Sequence, residues 1–250
     1  MPRKGRESLD GSARSRWTWP GLYAICFVVT VALLAEPIRN TPVRAGILVG
    51  LMVVWVGALK LVWNRRVLRI VALLFILPPL LVALAPDRPI DCGGLQAEYV
   101  HCLQRFKSVP YVWGGETHTG IDCSGLVRAG LVDAEIEVGI KTVNPRLLRH
   151  AAGLWWNDSS ALALGDEFQG RTIRTVMVHS LNAADYAAIR PGDIAIIDEG
   201  KHAMVYIGER NWIEASPTEN RVVVVQAPSA QDVYFDMEAQ IVRWRIMDHP

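Results

Sequence analysis

A cysteine at the start of a predicted helix is the group in this 250-residue chain best placed to carry out chemistry. Asp122 comes directly before Cys123, and the apolar residues that follow favour a helix that Asp122 would cap. The positive end of the helix dipole stabilises a thiolate at that position. Ser124 and Gly125 are small, so a substrate can approach closely. A lone cysteine is more often a small buried apolar residue, so the assignment depends on its partners.

A thiolate nucleophile needs a base, and His202 opens the predicted strand His202–Gly208. The base in turn needs an acceptor that orients its ring, and Glu214 lies on the next predicted strand. An odd number of connecting residues would place His202 and Glu214 on one face of the sheet, and an even number on opposite faces. The sequence leaves this parity open. Cysteine, histidine and glutamate in this order are the residue types of a thiol hydrolase.

The elements that would position these groups follow an α+β order, with helices first and an antiparallel meander after them. The turn Pro191-Gly192-Asp193 separates the two parts. Periodicity predicts helices over residues 95–106, 122–132, 147–154 and 183–189. It predicts strands over residues 172–178, 194–197, 203–207, 212–215, 221–226 and 241–246.

Four motifs over about residues 95–225 resemble the NlpC/P60 cysteine peptidases. They are Pro110-Tyr-Val-Trp-Gly-Gly115, Gly120-Ile-Asp-Cys-Ser-Gly-Leu-Val127, Pro191-Gly-Asp193, and His202 opening a strand that ends Tyr-Ile-Gly208. The resemblance implies a papain-like α+β domain with N-terminal helices packed on an antiparallel sheet. It also implies Cys123 as nucleophile, His202 as general base and Glu214 as the third polar residue. Tyr111 would help to hold the site or the oxyanion, and Ser124 would help to bind substrate.

The same resemblance implies hydrolysis of amide bonds in peptidoglycan stem peptides, at the bond between D-glutamate and the diamino acid. The reaction would pass through a thioester and need no cofactor. Two features depart from the family pattern. Glu214 stands where histidine, asparagine or glutamine is more usual, and its charge favours imidazolium at His202. Residues of about 140–180, which include Trp155, Trp156 and His179, lengthen the stretch before His202 and either wall the cleft or only pack.

The composition divides the chain near residue 86 into a basic apolar part and an acidic part. The whole chain is 51% hydrophobic, with 26 basic and 25 acidic residues. Residues 1–86 hold 11 Lys/Arg and 3 Asp/Glu, and residues 87–250 hold 15 and 22. We therefore predict a membrane anchor over 1–86 and a catalytic domain over 87–250. The acidic balance of the second part argues against a nucleic-acid partner.

Three apolar runs of about 20 residues each, the length that crosses a bilayer as a helix, lie in the first part. They cover about residues 17–35, 45–63 and 67–85, and the third contains Pro78-Pro79, which predicts a kink. Trp17, Trp19 and Trp63 stand at run ends, where indole rings favour the membrane interface. We expect three transmembrane helices, with the lipid bilayer as a partner.

Basic residues set the expected orientation. They cluster in the N-terminal head (Arg3, Lys4, Arg6, Arg14, Arg16) and around the second link (Lys60, Arg65, Arg66, Arg69). The positive-inside rule places both clusters in the cytoplasm, so three crossings deliver the catalytic domain to the cell-wall side of a bacterial inner membrane. Two alternatives stay open. One is a signal peptide followed by two buried core helices, and the other is a two-span protein whose catalytic half is cytoplasmic.

Other functions stay open as well. The same chemistry could act on a different amide, as an amidase or as an acyltransferase to an amine. The domain could be an antagonistic, toxin-like hydrolase, or a catalytically silent module that binds the wall. No metal site is predicted, because His118, His150 and His179 are scattered and no cysteine pair has ligand spacing. In an oxidising compartment Cys92 and Cys102 could form a disulfide.

Overall fold

The structure, a computed structural model, describes residues 11–248, and of residues 11–18 and Pro20 it describes only the backbone. The basic residues Arg3, Lys4 and Arg6 therefore lie outside the described residues, as do the side chains of Arg14 and Arg16. The chain forms two compact units. One combines the described residues up to Ala35 with Pro42–Ile76, and the other combines Glu36–Thr41 with the described residues from Leu77 onward. The second unit thus begins ten residues before the division at 86 that the composition indicates.

Three helices build the first unit: α1 (Gly11–Ala35), α2 (Thr41–Leu61) and α3 (Arg66–Leu74). Small residues on α2 allow α1 to approach closely, and a Cβ at Gly50 would lie 2.4 Å from the Thr30 hydroxyl. The Tyr23 hydroxyl donates to the carbonyl of Val54 (3.2 Å), which satisfies a polar group within the apolar helix pair.

The third apolar run is interrupted where its prolines predict a kink. Helix α3 ends at Leu74 and α4 (Leu77–Leu84) continues after two residues. Pro78 and Pro79 have no N–H to donate to the carbonyls four residues earlier, so the helical ladder breaks there. Among the described residues, the helices Thr41–Leu61 and Arg66–Leu84 are long and apolar enough to cross a membrane. The apolar part of the first helix, Gly21–Ala35, is shorter, so length and composition support two spans and do not establish three.

Besides α4, the second unit contains three long helices, which confirm three of the four helical predictions, and one short helix that was not predicted. The long helices are α5 (Cys92–Arg105), α6 (Cys123–Lys141) and α7 (Pro145–Trp156), and the short one is α8 (Ala161–Gly165). The helix predicted over residues 183–189 is wrong, because that segment forms turns. Ser180 accepts a hydrogen bond from the N–H of Ala183, and Asp185 accepts one from Ala187. These local side-chain acceptors favour turns over a helix.

An antiparallel sheet of six strands confirms the α+β prediction. Its strands are β3 (Thr172–Val178), β4 (Ile194–Ile197), β5 (His202–Gly208), β6 (Asn211–Ser216), β7 (Arg221–Gln226) and β8 (Ala239–Trp244). They are arranged in the order β3-β8-β4-β5-β6-β7. A short hairpin of β1 (Glu116–Thr117) and β2 (Gly120–Ile121) precedes α6.

Both faces of the sheet are buried, which explains the unbroken apolar stretches of β4 and β5. Alternate residues such as Val205 and Ile213 pack in the core cluster that includes α6 side chains. Met204 and Trp212 point to the other face, where Phe235 and residues of the 181–189 turns cover them. The sheet is therefore the middle layer of the domain, with α6 on one side.

The turn before β4 is held by a buried ion pair. Both carboxylate oxygens of Asp193 accept from Arg243 on β8, at 2.7 and 2.8 Å, and one also accepts from the N–H of Arg190. Asp193 is fully buried. The pair thus ties the Pro-Gly-Asp turn to the neighbouring strand with two parallel hydrogen bonds.

We expect Asp193→Ala to lower the free energy of unfolding by about 3 kcal/mol, because the buried guanidinium of Arg243 keeps only its 3.4 Å contact with Asp248. Asp166→Ala, which removes an exposed ion pair with Arg174, is the matched control and should cost at most about 1 kcal/mol. Denaturant unfolding of the full chain in detergent micelles measures both. Equal losses for the two variants would contradict the structural role of Asp193.

Candidate active site

Cys123 lies at the first position of α6, directly after its capping residue. One oxygen of Asp122 accepts from the N–H of Gly125 (2.6 Å) and from the Ser124 hydroxyl (3.1 Å), and the other accepts from the N–H of Gly114 (2.8 Å). The predicted cap is therefore confirmed, and it also binds the preceding glycine-rich loop. The thiol sits at the positive end of a 19-residue helix, where the dipole favours a thiolate.

Two glycines let the loop and the helix start approach each other. A Cβ at Gly125 would lie 2.1 Å from the carbonyl oxygen of Gly115, and a Cβ at Gly115 would lie 2.5 Å from that of Gly120. The N–H of Asp122 donates to the same Gly115 carbonyl at 3.0 Å. No larger residue fits at either position without moving backbone, so the glycines of the motif fix the place of the nucleophile.

His202 and Glu214 lie on one face of the sheet, which answers the parity question left open by the sequence. Two residues connect β5 and β6, and a regular hairpin of that length would put the two side chains on opposite faces. The pairing shifts by one between Tyr206 and Gly208, so Met204 lies opposite Glu214 and His202 shares their face. This bulge supplies the missing residue. Nε2 of His202 is hydrogen-bonded to a carboxylate oxygen of Glu214, and both side chains are buried.

The histidine is poised to be an imidazolium. Burial lowers its pKa, but hydrogen bonds to Cys123 and Glu214 and the charges of both residues outweigh burial and raise the pKa to about 9. Since Nε2 is bound to Glu214, the other ring nitrogen is the one available to Cys123. The structure therefore brings the three predicted residues together in the order nucleophile, base and acceptor.

Tyr111 and Ser124 take different places at the site. Burial, with the nearby charges of Cys123 and Asp122, raises the pKa of Tyr111 to about 12, so its hydroxyl stays protonated and can donate. The Ser124 hydroxyl donates to Asp122 and so takes part in the helix cap. Its predicted part in substrate binding stays a prediction.

Two residues of the segment before β8 join the site and were not predicted from the sequence. The ring of Tyr234 stacks on that of His202, with centroids 4.2 Å apart and planes 12° from parallel. Asp232 lies within hydrogen-bonding reach of Glu214, and burial together with that neighbour raises its pKa to about 6. The only sequence signal was that Asp232 can cap the short 3-10 turn Val233–Asp236, which it does through the N–H of Tyr234.

The remaining cysteines outside the first unit do not resemble nucleophiles. Burial raises the pKa of Cys102 to about 12. The Cys92 thiol faces the carbonyl of Ile246 at 3.6 Å. Both are free, so the disulfide considered from the sequence is not formed in this structure. Glu98, Cys102 and Glu137 bring potential metal-ligand atoms together, but Arg105 already pairs with Glu137 and supplies the positive charge there.

The long stretch between Cys123 and His202 is largely ordered secondary structure. Helix α7, which carries Trp155 and Trp156, packs on α6, and His150 of α7 is hydrogen-bonded to the buried Glu135 at 2.6 Å. His179 follows β3, the edge strand separated from β5 by β8 and β4. His179 is thus three strands away from the strand that carries His202.

Comparison with known proteins identifies the domain. A sequence model of the NlpC/P60 family matches residues 108–239, more than half of the chain and all of the site described above. The chain belongs to the NlpC/P60 family. The resemblance carried by the sequence motifs is thereby confirmed, together with the α+β domain and the class of cysteine hydrolases that it implied.

Curated proteins and solved structures are also similar to this chain. Proteins named probable endopeptidase in Mycobacterium bovis and Mycobacterium tuberculosis are 24% identical over 148 residues, which are 59% of this chain and 30% of the relatives. The match therefore spans less than a third of their length. The P60 domain of the M. avium subspecies paratuberculosis antigen MAP1204 is 18% identical, with 64% of this chain and 100% of that one covered and a TM-score of 0.40. The M. tuberculosis peptidoglycan hydrolase RipB is 16% identical, with 97% and 93% covered and a TM-score of 0.40.

Replacing Glu214 by glutamine tests the acceptor. Glutamine can still accept from the imidazole N–H but carries no charge, so the pKa of His202 should fall. Activity that needs imidazolium is present below that pKa and lost above it, so the alkaline limb of the pH profile should move from about 9 to lower pH. At pH 8 we expect kcat/KM to drop on the order of a hundredfold. Glu219→Gln, at an exposed residue, is the control; an unchanged alkaline limb in Glu214→Gln would contradict this role.

The variant Asp232→Asn tests the interaction between the Asp232 and Glu214 carboxyl groups through its effect on thermal stability. The folded chain holds the Asp232 proton up to about pH 6, against an ordinary value of 3.8, so ionisation between these values costs stability as the pH rises. Asparagine can keep the cap on Tyr234 without that charge. Its melting temperature should exceed the wild type's above pH 6 and converge with it below pH 4. Asp185→Asn, another turn-capping residue, should show no such pH dependence. A constant offset at all pH values would contradict the pairing with Glu214.

Proposed function

We propose that this chain is a membrane-anchored cysteine endopeptidase that hydrolyses amide bonds in peptidoglycan stem peptides. The observation that carries the proposal is the buried His202, which is hydrogen-bonded to Glu214 and whose pKa is raised by Cys123 at the helix start and by Glu214. The proposed nucleophile, base and orienting acceptor all lie within the part of the chain that matches the family.

The proposed reaction is acyl transfer. The Cys123 thiolate attacks the scissile carbonyl, and the resulting oxyanion is stabilised by the N–H of Cys123 and the Tyr111 hydroxyl. The His202 imidazolium gives its proton to the leaving amine as the C–N bond breaks, which leaves a thioester and a neutral imidazole. Water then loses one proton to His202 and attacks the thioester; the C–S bond breaks, which restores the thiolate and imidazolium and releases a carboxylic acid that gives its remaining proton to solvent. Glu214 orients the ring and stabilises its charged form throughout.

The names of the relatives support the proposed substrate class. RipB is named a peptidoglycan hydrolase, and the matched mycobacterial proteins are named probable endopeptidases. By the family resemblance, the bond joins D-glutamate to the diamino acid of the stem peptide. Since the matched segment is 30% of the curated relatives, their remaining parts give no guide to this chain's partners.

The anchoring proposal has support from the chain path. Residues 36–41 contact the catalytic unit, because the N–H of Glu116 donates to the Pro37 carbonyl (2.9 Å) and Ile38 forms a bridge with Gly115. Residues 36–41 and residue 85 onward must then lie on the same side of a membrane, which requires an even number of crossings between them. The helices Thr41–Leu61 and Arg66–Leu84 supply two.

The distribution of basic residues supports an assignment of the catalytic unit to one side of the membrane. With α1 as a third crossing, the positive-inside rule places Lys60, Arg65, Arg66 and Arg69 in the cytoplasm and the catalytic unit on the cell-wall side of the inner membrane. The unit would then face the compartment that contains peptidoglycan.

Full-length protein in detergent, incubated with peptidoglycan fragments and followed by mass spectrometry, tests the activity. Wild type should release new fragments whose masses identify the bond, and Cys123→Ala should lose at least about a thousandfold in rate. Cys92→Ala removes a different half-buried thiol and should keep activity. A Cys123→Ala variant that is as active as wild type would overturn the mechanism. Transfer to an amine in place of water would appear as an adduct mass, and binding without cleavage by wild type would favour the scaffold function.

A further inference from the structure

Two segments that adjoin the apolar helices pack at the two ends of α6. At its start, Pro37 and Ile38 contact Glu116 and Gly115, and the Gly115 carbonyl accepts from the N–H of Asp122. The hydrogen bond between Asp122 and Gly115 thus lies one residue before Cys123 in the chain. The segment between α1 and α2 is therefore part of the support beneath the start of α6.

At the other end of α6, the end of the last apolar helix packs on the corner between α6 and α7. Arg149 of α7 donates to the carbonyls of Val82 and Ala85, and it pairs with Asp87. These carbonyls are among those that α4 leaves without partners at its C-terminus, so Arg149 caps the helix. Helix α6 itself is about 28 Å long at 1.5 Å per residue.

A stripe of exposed apolar side chains adjoins this second contact. Ile136, Ile140 and Val143 are 40%, 66% and 65% exposed, and the first two are one helical turn apart. Ile140 and Val143 line a groove of about 220 Å³ together with Leu81 and Val82 of α4. Contiguous exposed apolar residues mark an interaction surface, and here the surface is continuous with an apolar helix.

Basic side chains border the stripe. Arg88 lines the same groove, Lys141 lies between Ile140 and Val143 in the chain, and Arg146 opens the next helix; all three are exposed. The neighbouring Glu137 is paired with Arg105. An apolar stripe bordered by Lys and Arg has the chemistry of a surface that enters the headgroup layer of a phospholipid bilayer.

We propose that the stripe formed by Ile136, Ile140 and Val143 lies in the outer headgroup layer of the membrane that α2 and α3–α4 cross. The proposal rests on the membrane anchoring proposed above. Val82 is two residues from the end of the apolar helix, about 3 Å along its axis, so side chains that share its groove lie at the level of the interface. The apolar residues at the C-terminal end of α6 then lie at the membrane surface.

The test places a photo-crosslinking benzoylphenylalanine at single positions of the full chain in nanodiscs of phosphatidylethanolamine and phosphatidylglycerol. Lipid adducts are counted by mass spectrometry after illumination. Ile140 and Val143 should give at least about tenfold more adduct than Val233, because only a side chain in the interface reaches acyl chains. Val233 is the matched control, 65% exposed like Val143 but beside the sheet face that is opposite α6.

A probe at Leu80 of α4 separates the two proposals. Adducts at Leu80 and at Ile140 support both the span and the surface contact. Adducts at Leu80 with no excess at Ile140 and Val143 over Val233 would overturn the surface contact and leave the anchoring intact. No adduct at Leu80 would overturn the anchoring itself, and the surface contact with it. Lys141→Glu with Arg146→Glu should lower the adduct yield at Ile140 severalfold in the same nanodiscs if the basic border binds anionic lipid.

Discussion

The hydrogen bond between His202 and Glu214 depends on the register of β5 and β6, and that register is set by the bulge between Tyr206 and Gly208. Without the extra residue, Glu214 would share a face with Val205 and lie on the face opposite to His202. The buried histidine would then lack its acceptor, and a buried carboxylate would lack its donor. The bulge therefore satisfies two costly polar groups with one backbone adjustment. The pairing of Cys123 with an imidazolium follows from the same adjustment.

Around this pair the site gathers negative charge in a small volume. Glu214 is 1% exposed, and Asp232 lies beside it in the rim of the groove that both residues line. Two neighbouring carboxylates do not readily carry a negative charge at the same time. The nearby Glu214 therefore adds to the effect of burial in raising the pKa of Asp232. The Cys123 thiolate and Glu214 both favour a proton on the histidine. Tyr234 covers the ring and keeps water from competing for its hydrogen bonds.

The sequence reveals the parts of this site that are local and hides those that depend on tertiary pairing. Asp122 and Cys123 are adjacent, so one helix cap positions the nucleophile and the motif alone predicts it. His202 and Glu214 share a face of the sheet because of a bulge, and no residue type in the sequence predicts that bulge. Asp232 and Tyr234 reach the site from a segment beyond β7, held there by the sheet order, which the sequence does not encode in any short motif. The wrong helix prediction over 183–189 has a different origin, since local side-chain acceptors at Ser180 and Asp185 favour turns there.

The contact of residues 36–41 with the nucleophile loop gives the apolar part of the chain a role beyond attachment. Two separate segments of the apolar part pack within the catalytic unit, one at each end of α6. Pro37 and Ile38 also contact Glu116 and Gly115, and Gly115 holds Asp122, the cap of the nucleophile helix. The geometry at Cys123 thus depends on Pro37 and Ile38, which lie 86 and 85 positions before it. Composition alone would assign these residues to the membrane anchor and not to the catalytic domain.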